Sequence, residues 1–215
     1  MQSGRESIRP TGAMRSVPES IPPSLNHGID VERYWKACPL DESTQGTFLQ
    51  FIVDEVVKRN GRAPPKLFEG LPRDRWLPFL KYPLRELMHL VVNAARVLHP
   101  KQPIAEGLRR VGWFAYPSFA ATMAGRVVLF AFGETVEDVI RSLPKAYSIC
   151  IPEAQTSVKE HRDRHLHVEL RGVHCFVDTY HRGVLEGALW YHGCEPSVEA
   201  IPGPRLCDAD LVADW

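Results

Sequence analysis

The stretch Arg164-His165-Leu166-His167-Val168-Glu169-Leu170, followed by Arg171-Gly172, sets the fold class of this chain. Leu166, Val168 and Leu170 fall on one side of an extended backbone, and His165, His167 and Glu169 fall on the other. A period of two marks a strand with one buried face. Arg171-Gly172 reads as a two-residue hairpin turn, with glycine supplying a positive φ. The predicted return strand is Val173 to Thr179. In that register Glu169 faces His174 and His165 faces Asp178, while Cys175 lies with Val168 on the apolar side. Downstream, a helix from Arg182 to His192 stops at Gly193, a glycine just past its end. Two further strands are expected, near Ser197 to Ile201 and Arg205 to Trp215. Just upstream, Ser148 to Val158 reads as a weaker strand interrupted by Pro152.

Before Tyr147 the period changes to that of helices. Thr44 to Arg59 carries a broad apolar stripe through Phe48, Leu49, Ile52, Val53 and Val56, and Asn60-Gly61 ends it. A short helix is predicted through Trp76, Leu77, Phe79 and Leu80. Pro83 to Leu98 is apolar almost all the way round and reads as the buried central helix, with His89 and Asn93 as its polar exceptions. Ile104 to Phe132 is helical with a predicted break at Tyr116-Pro117, because a residue before proline avoids the α region. Thr135-x-x-Asp138 forms a capping box for a helix that turns Val136, Val139, Ile140 and Leu143 inward. Helices first, antiparallel strands later and one late helix give an α+β domain: an N-terminal helical layer packed on a C-terminal sheet.

Residues 1–28 are rich in Ser, Pro, Gly and Arg, and Ser16-Val-Pro-Glu-Ser-Ile-Pro-Pro23 cannot continue a helix, so they are expected to form a disordered tail before a single domain over 29–215. The chain carries 26 Lys and Arg against 26 Asp and Glu. A non-specific nucleic-acid binder needs a surplus of cations to displace counterions, so that class is disfavoured. Five cysteines, Cys38, Cys150, Cys175, Cys194 and Cys207, are widely spaced and lack a C-x-x-C, as reduced thiols of a cytoplasmic protein would be. No stretch reaches the length of a membrane span. P-loop, G-x-G-x-x-G, G-x-S-x-G and H-E-x-x-H motifs are all missing, so nothing positive points to an enzyme.

Three groups of residues could carry function. His161, His165, His167, His174 and His181 lie close in sequence, and H-x-H on a strand puts two imidazoles on one face; they form either a metal site or a solvated polar face. Gly183 and Gly187, four apart in the late helix with Tyr180 one turn earlier, call for close approach by another backbone or by a ligand, since glycine weakens a helix. Trp113, Tyr116 and Phe119 beside Pro117 form either one wall of a pocket or plain core.

Thr44-x-Gly46-x-Phe48, Tyr82-Pro83, Glu106-Gly-Leu-Arg-Arg-Val-Gly112, Thr122-x-x-Gly125-Arg126 and Tyr180-x-x-Gly183-Val-Leu-Glu-Gly-Ala-Leu189 together resemble a paralogous family of unknown function expanded in myxobacteria. That family implies no catalytic residues. More distantly, the end of the chain is similar to four-vinyl-reductase-type sensor domains, which share a broad fold with haem-nitric-oxide-binding domains and vesicle-tethering subunits. The resemblance implies small effectors. Its zinc positions would be Cys175, Glu199 and Cys207, with one expected cysteine missing. Its haem motif, Tyr-x-Ser-x-Arg, would fall on Tyr116-x-Ser118-x-Ala120, with alanine in place of arginine.

The expectation is therefore a cytoplasmic, non-enzymatic sensory or regulatory domain with no cofactor. It would bind a small apolar ligand between helices and sheet, at Trp113, Tyr116, Phe119, Tyr180, Gly183 and Gly187. The alternatives are a homodimeric interaction scaffold that engages a signalling partner through the Tyr180 to His192 helix, and a metal-binding protein using the histidine cluster.

Overall fold

The computed structural model describes residues 28–121 and 135–215. The expected tail, and the end of the helix drawn to Phe132, lie outside them. Helix α1, Val31–Ala37, was not anticipated; Asp30 caps it by accepting from the Arg33 N–H at 3.1 Å. A three-residue strand β1, Ser43–Gln45, leads into α2, Gly46–Asn60, which ends on Gly61 in the left-handed region. Strand β2, Lys81–Pro83, pairs antiparallel with β1 and leads into α3, Leu84–Leu98. The segment around Trp76 to Leu80 is not helical. Pro78 sits in a tight turn closed by Leu80 N–H to Leu77 O, and the turn is pinned to the start of α2 by the Gly46 and Thr47 N–H groups.

Helix α4, Ile104–Ala121, runs through Pro117 without ending. Proline removes one backbone donor and so frees the carbonyl four residues earlier, that of Trp113. Here that carbonyl is packed against another helix, and tertiary packing holds α4 together across the defect. Helix α5, Val136–Cys150, starts with the expected capping box: the Asp138 N–H reaches Thr135 Oγ1 at 3.2 Å, and the Thr135 N–H reaches Asp138 Oδ2 at 3.4 Å. It occupies the first residues of the strand expected from Ser148.

The sheet differs from the expected hairpin. Strand β3, Gln155–Arg162, turns at Asp163-Arg164 into β4, His165–Arg171. The other edge of β4 is taken by β6, Ala209–Asp214, which in turn carries β5, Ser197–Pro202, giving the order β3-β4-β6-β5. Residues 173–179 are no strand. Val173, Cys175, Phe176 and Val177 are all buried, so the segment does not alternate, and Phe176 takes a left-handed φ of 51°. It is wound into a compact turn that feeds α6, Tyr180–Tyr191.

Two apolar cores result. One lies among α1, α2, α3 and α4 and takes in Cys175, Phe176 and Tyr180. The other lies between the inner face of the sheet and helices α5 and α6. The outer face of β4 and β6 carries paired charges, as half-buried antiparallel sheets do.

Candidate functional site

The two layers meet in two places of opposite character. The first is the crossing of α4 and α6. A Cβ added at Gly112 would lie 1.9 Å from Tyr180 O, one at Gly183 would lie 1.9 Å from Arg109 O, and one at Gly187 would lie 2.0 Å from Trp113 O. The helix backbones touch, and the carbonyl freed by Pro117 faces Gly187. The expected glycine face is thus spent on packing within the chain, and α4 covers the face on which a homodimer would have relied. Above it sits a buried ion network. Arg109, 2% exposed, bonds Glu106 at 2.9 Å and Glu186 at 2.5 Å, while Arg110 and Arg182 bond the same two carboxylates at 2.7 and 3.1 Å. Burial pushes both carboxyls up. At Glu186 burial prevails; at Glu106 the hydrogen bonds from Arg109 and Arg110 carry the carboxyl below its usual range.

The aromatic residues singled out in the sequence lie on α4 but do not converge. Trp113 packs on Trp190 at 4.6 Å, the Tyr116 hydroxyl lies 3.0 Å from His192 Nε2, and Phe119 meets Phe51 at 5.9 Å. The cavity beside them, bounded by Phe51, Val56, Phe114 and Ser118, measures about 10 Å³, the size of one water.

The histidines are not a cluster. His165 Nδ1 lies 2.7 Å from Asp214, His167 Nε2 lies 2.9 Å from Asp210, and His174 Nδ1 lies 2.7 Å from Glu42. The expected pairings with Asp178 and Glu169 are replaced, because β6 is the neighbour of β4. His161 is exposed on β3, and His181 is buried, with Nδ1 3.0 Å from the Tyr147 hydroxyl. Burial holds His181 down at about 3, a neutral imidazole. No three His, Cys, Asp or Glu side chains among the described residues are arranged to hold a metal, and neither the histidines nor Cys175, Glu199 and Cys207 form such a set. Burial also pushes the Cys175 thiol up, against the thiolate that zinc requires.

The second meeting place is an open cleft of about 220 Å³ between α1 and the turn before α6. Ile29, Asp30, Arg33 and Tyr34 line one side; Asp178, Thr179 and Leu206 line the other. Tyr34 and Phe176, with ring centroids 5.1 Å apart, join the two walls. The Leu206 side is held by Asp208, which takes Arg205 Nε at 2.8 Å and the Gly172 N–H at 3.0 Å. Thr179 stands at the N-cap of α6, where a threonine hydroxyl ordinarily accepts from the first helical turn. It makes no such bond, and its Oγ1 is buried without a partner although the residue is only 1% exposed. Asp178 Oδ1 is likewise buried and unpartnered. Each such group costs about 1–3 kcal/mol. Burial first, and the charge of Asp178 second, hold the Tyr34 phenol protonated, above its ordinary range.

Sequence reasoning missed this cleft. Ile29 to Tyr34 carried no predicted element, and Asp178-Thr179 looked like the end of a strand. An Asp-Thr pair at a helix start was the available signal, and it reads as ordinary capping.

The architecture is that of H-NOX domains. The H-NOX protein from S. oneidensis in its Fe(II) ligation state is 14% identical, with a TM-score of 0.63 over 79% of this chain and 95% of that one. The Shewanella oneidensis domain in its Fe(II)CO state is 16% identical, with a TM-score of 0.62 over 80% and 98%. The unliganded Fe(II) protein from K. algicida is 12% identical, with a TM-score of 0.57 over 79% and 95%. No curated protein matches the chain significantly. Residues 41–203 match the family described as a protein of unknown function, DUF2378, and the chain belongs to that family.

Haem, which the H-NOX likeness implies, does not fit the residues present. Tyr116 is engaged by His192, Ser118 Oγ donates to Glu55 at 3.0 Å, and Ala120 is a buried methyl where propionates would need a cation. The 10 Å³ cavity beside them has no room for a macrocycle.

Proposed function

We propose that this chain is a non-catalytic sensory domain, one domain over 29–215, that takes a small ligand in the cleft between α1 and the start of α6. Its occupancy would be passed to a signalling partner through α6. The observation that carries this reading is the open cleft lined by Arg33, Tyr34, Asp178 and Thr179 where the two layers face each other, with Thr179 Oγ1 and Asp178 Oδ1 buried without partners in the residues of its wall. Thr179 directly precedes α6, and α6 is locked to α4 by backbone contact, so a change at the cleft has a rigid element to act on. The likeness to H-NOX domains supports a small effector at such a seam, as an analogy of fold.

Several features favour binding over catalysis. Burial pushes the thiols of Cys38 and Cys150 up to about 11, which leaves no activated nucleophile there. All described cysteines are free, in keeping with a reducing cytoplasm. No described helix is long and apolar enough to cross a membrane. A purely apolar ligand at Trp113, Tyr116 and Phe119 has less support, since those rings are occupied by Trp190, His192 and Phe51.

Native mass spectrometry of untagged protein from its own host tests the proposal. A retained mass that the Thr179→Val variant loses is the expected result. A clean chain mass in both proteins, with no small molecule shifting the melting temperature, overturns it.

A further inference from the structure

Three exposed apolar side chains stand together in the tight turn between Trp76 and Lys81. Phe79 is 94% exposed, and Leu77 and Leu80 are 53% and 52% exposed. Single apolar residues on a surface are ordinary, but a group of large ones marks a contact site. The turn is held firmly from beneath. Trp76 is buried, and its indole N–H donates to Glu86 at 2.7 Å. The carbonyls of Leu77, Pro78 and Leu80 accept from the N–H groups of Leu80, Thr47 and Gly46 at 3.1, 3.0 and 2.8 Å. The Leu77 N–H donates to the Tyr82 hydroxyl at 2.9 Å. A side chain at residue 46 would meet the Leu77 carbonyl, so glycine there lets the turn seat. With these backbone groups satisfied inside the chain, the turn offers a partner side chains and no strand edge. Internal satisfaction is also what an apolar surrounding demands of a backbone.

The surroundings of the turn are cationic. Residues 73–81 hold Arg73, Arg75 and Lys81 against Asp74, in a chain whose cations and acids are equal in number. Arg73 pairs with Glu86 at 3.3 Å and lies over the Tyr82 ring. Arg75 and Lys81 are exposed, one before the turn and one after it. The strand and helix start bonded to the turn, residues 43–51, carry no charge to neutralise them. We propose that this turn is an anchor on an anionic lipid surface. Phe79, Leu77 and Leu80 would enter the boundary between headgroups and acyl chains, with Arg75 and Lys81 on the lipid phosphates. Apolar burial and cation attraction are the two terms that hold a protein at such an interface. A bilayer accepts a protruding tip without a matching hollow, whereas a protein partner would have to supply an apolar hollow with an acidic rim.

Co-sedimentation of the full-length protein with vesicles tests this, using phosphatidylcholine alone and phosphatidylcholine with about one third phosphatidylglycerol. Binding to the anionic vesicles is expected, at least about fivefold weaker on phosphatidylcholine alone and weakened by added salt. Phe79→Ser should weaken it about tenfold or more, and Arg75→Gln and Lys81→Gln about fivefold each. Phe79→Trp should keep binding, and its added indole emission should be quenched by brominated acyl chains beyond the quenching seen in wild type. These side chains are exposed, so the melting temperatures of the variants should match wild type. Lost binding then cannot be put down to unfolding. No binding to anionic vesicles, or binding indifferent to Phe79→Ser, overturns the anchor. A dimer that forms with rising concentration and is lost in Phe79→Ser, without vesicle binding, also overturns it and gives the turn to a second copy of the chain.

Discussion

Helix α6 meets the helical layer twice, and the two contacts are built on opposite principles. Along its length it crosses α4 with backbone against backbone, and every charge above the crossing has a partner. At its first turn it faces α1 across open space, with a threonine and an aspartate oxygen buried and unmatched. The first arrangement has no slack: glycine at 112, 183 and 187 leaves no room for a methyl group, and Arg109 is shared by two glutamates. The second leaves hydrogen-bonding capacity unused at a place where a helix start would normally consume it. A domain that needed only stability would have closed both. The contrast puts fold maintenance at the crossing and, under the proposed function, recognition at the cleft.

Breaking the crossing should cost most. Arg109→Met leaves Glu106 and Glu186 without their shared cation, and urea unfolding should show a loss of about 3–5 kcal/mol. A loss below about 1 kcal/mol would mean that Arg110 and Arg182 suffice and the crossing is looser than its geometry suggests. Gly183→Ala comes next. Its methyl would meet the Arg109 carbonyl, the helices must part, and about 2–3 kcal/mol should be lost by the same assay.

Acid should separate the buried imidazole from the rest. His181 is neutral in the fold, with its value held down at about 3 against an ordinary 6.5. The unfolded chain therefore binds a proton that the folded one refuses. The stability this residue contributes is complete above about pH 6.5 and is lost as pH falls toward about 3, by up to about 1.4 kcal/mol per pH unit. Comparing wild type with His181→Gln in urea melts from pH 6 to pH 4 checks this. The variant, which can still bond Tyr147, should have the shallower dependence.

The smallest effect on stability is expected at the cleft. Thr179→Val should change unfolding free energy by no more than about 0.5 kcal/mol, or raise it by about 1 kcal/mol, because it removes a buried hydroxyl without a partner. A loss of more than about 1 kcal/mol would show that the hydroxyl is structural, and the contrast between the two contacts would fail.

The features that were legible in the sequence depend on near neighbours. The β4 alternation, the Thr135–Asp138 capping box, the end of α2 at Gly61 and the stop of α6 at Gly193 each follow from residues within one turn or one strand. Gly183 and Gly187 showed that something must come close, but not that it would be the backbone of α4. Pro117 pointed to a break that did not occur, because packing of the Trp113 carbonyl against Gly187 outweighed a local rule. The short helix at Trp76 to Leu80 failed for a similar reason: Pro78 and two backbone bonds to the start of α2 wound it into a turn.

By itself the sequence determined that the main helices precede the antiparallel strands, the α+β class and the buried face of β4, since these are written in periodicity and in the sterics of glycine and proline. Only the tertiary structure decided which strand lies beside β4, so that the histidines met Asp210 and Asp214 and not one another. It alone brought Asp30, Arg33 and Tyr34 to Asp178 and Thr179. Such pairings join distant parts of the chain, and the burial of both partners together selects them, which no local pattern in either one encodes.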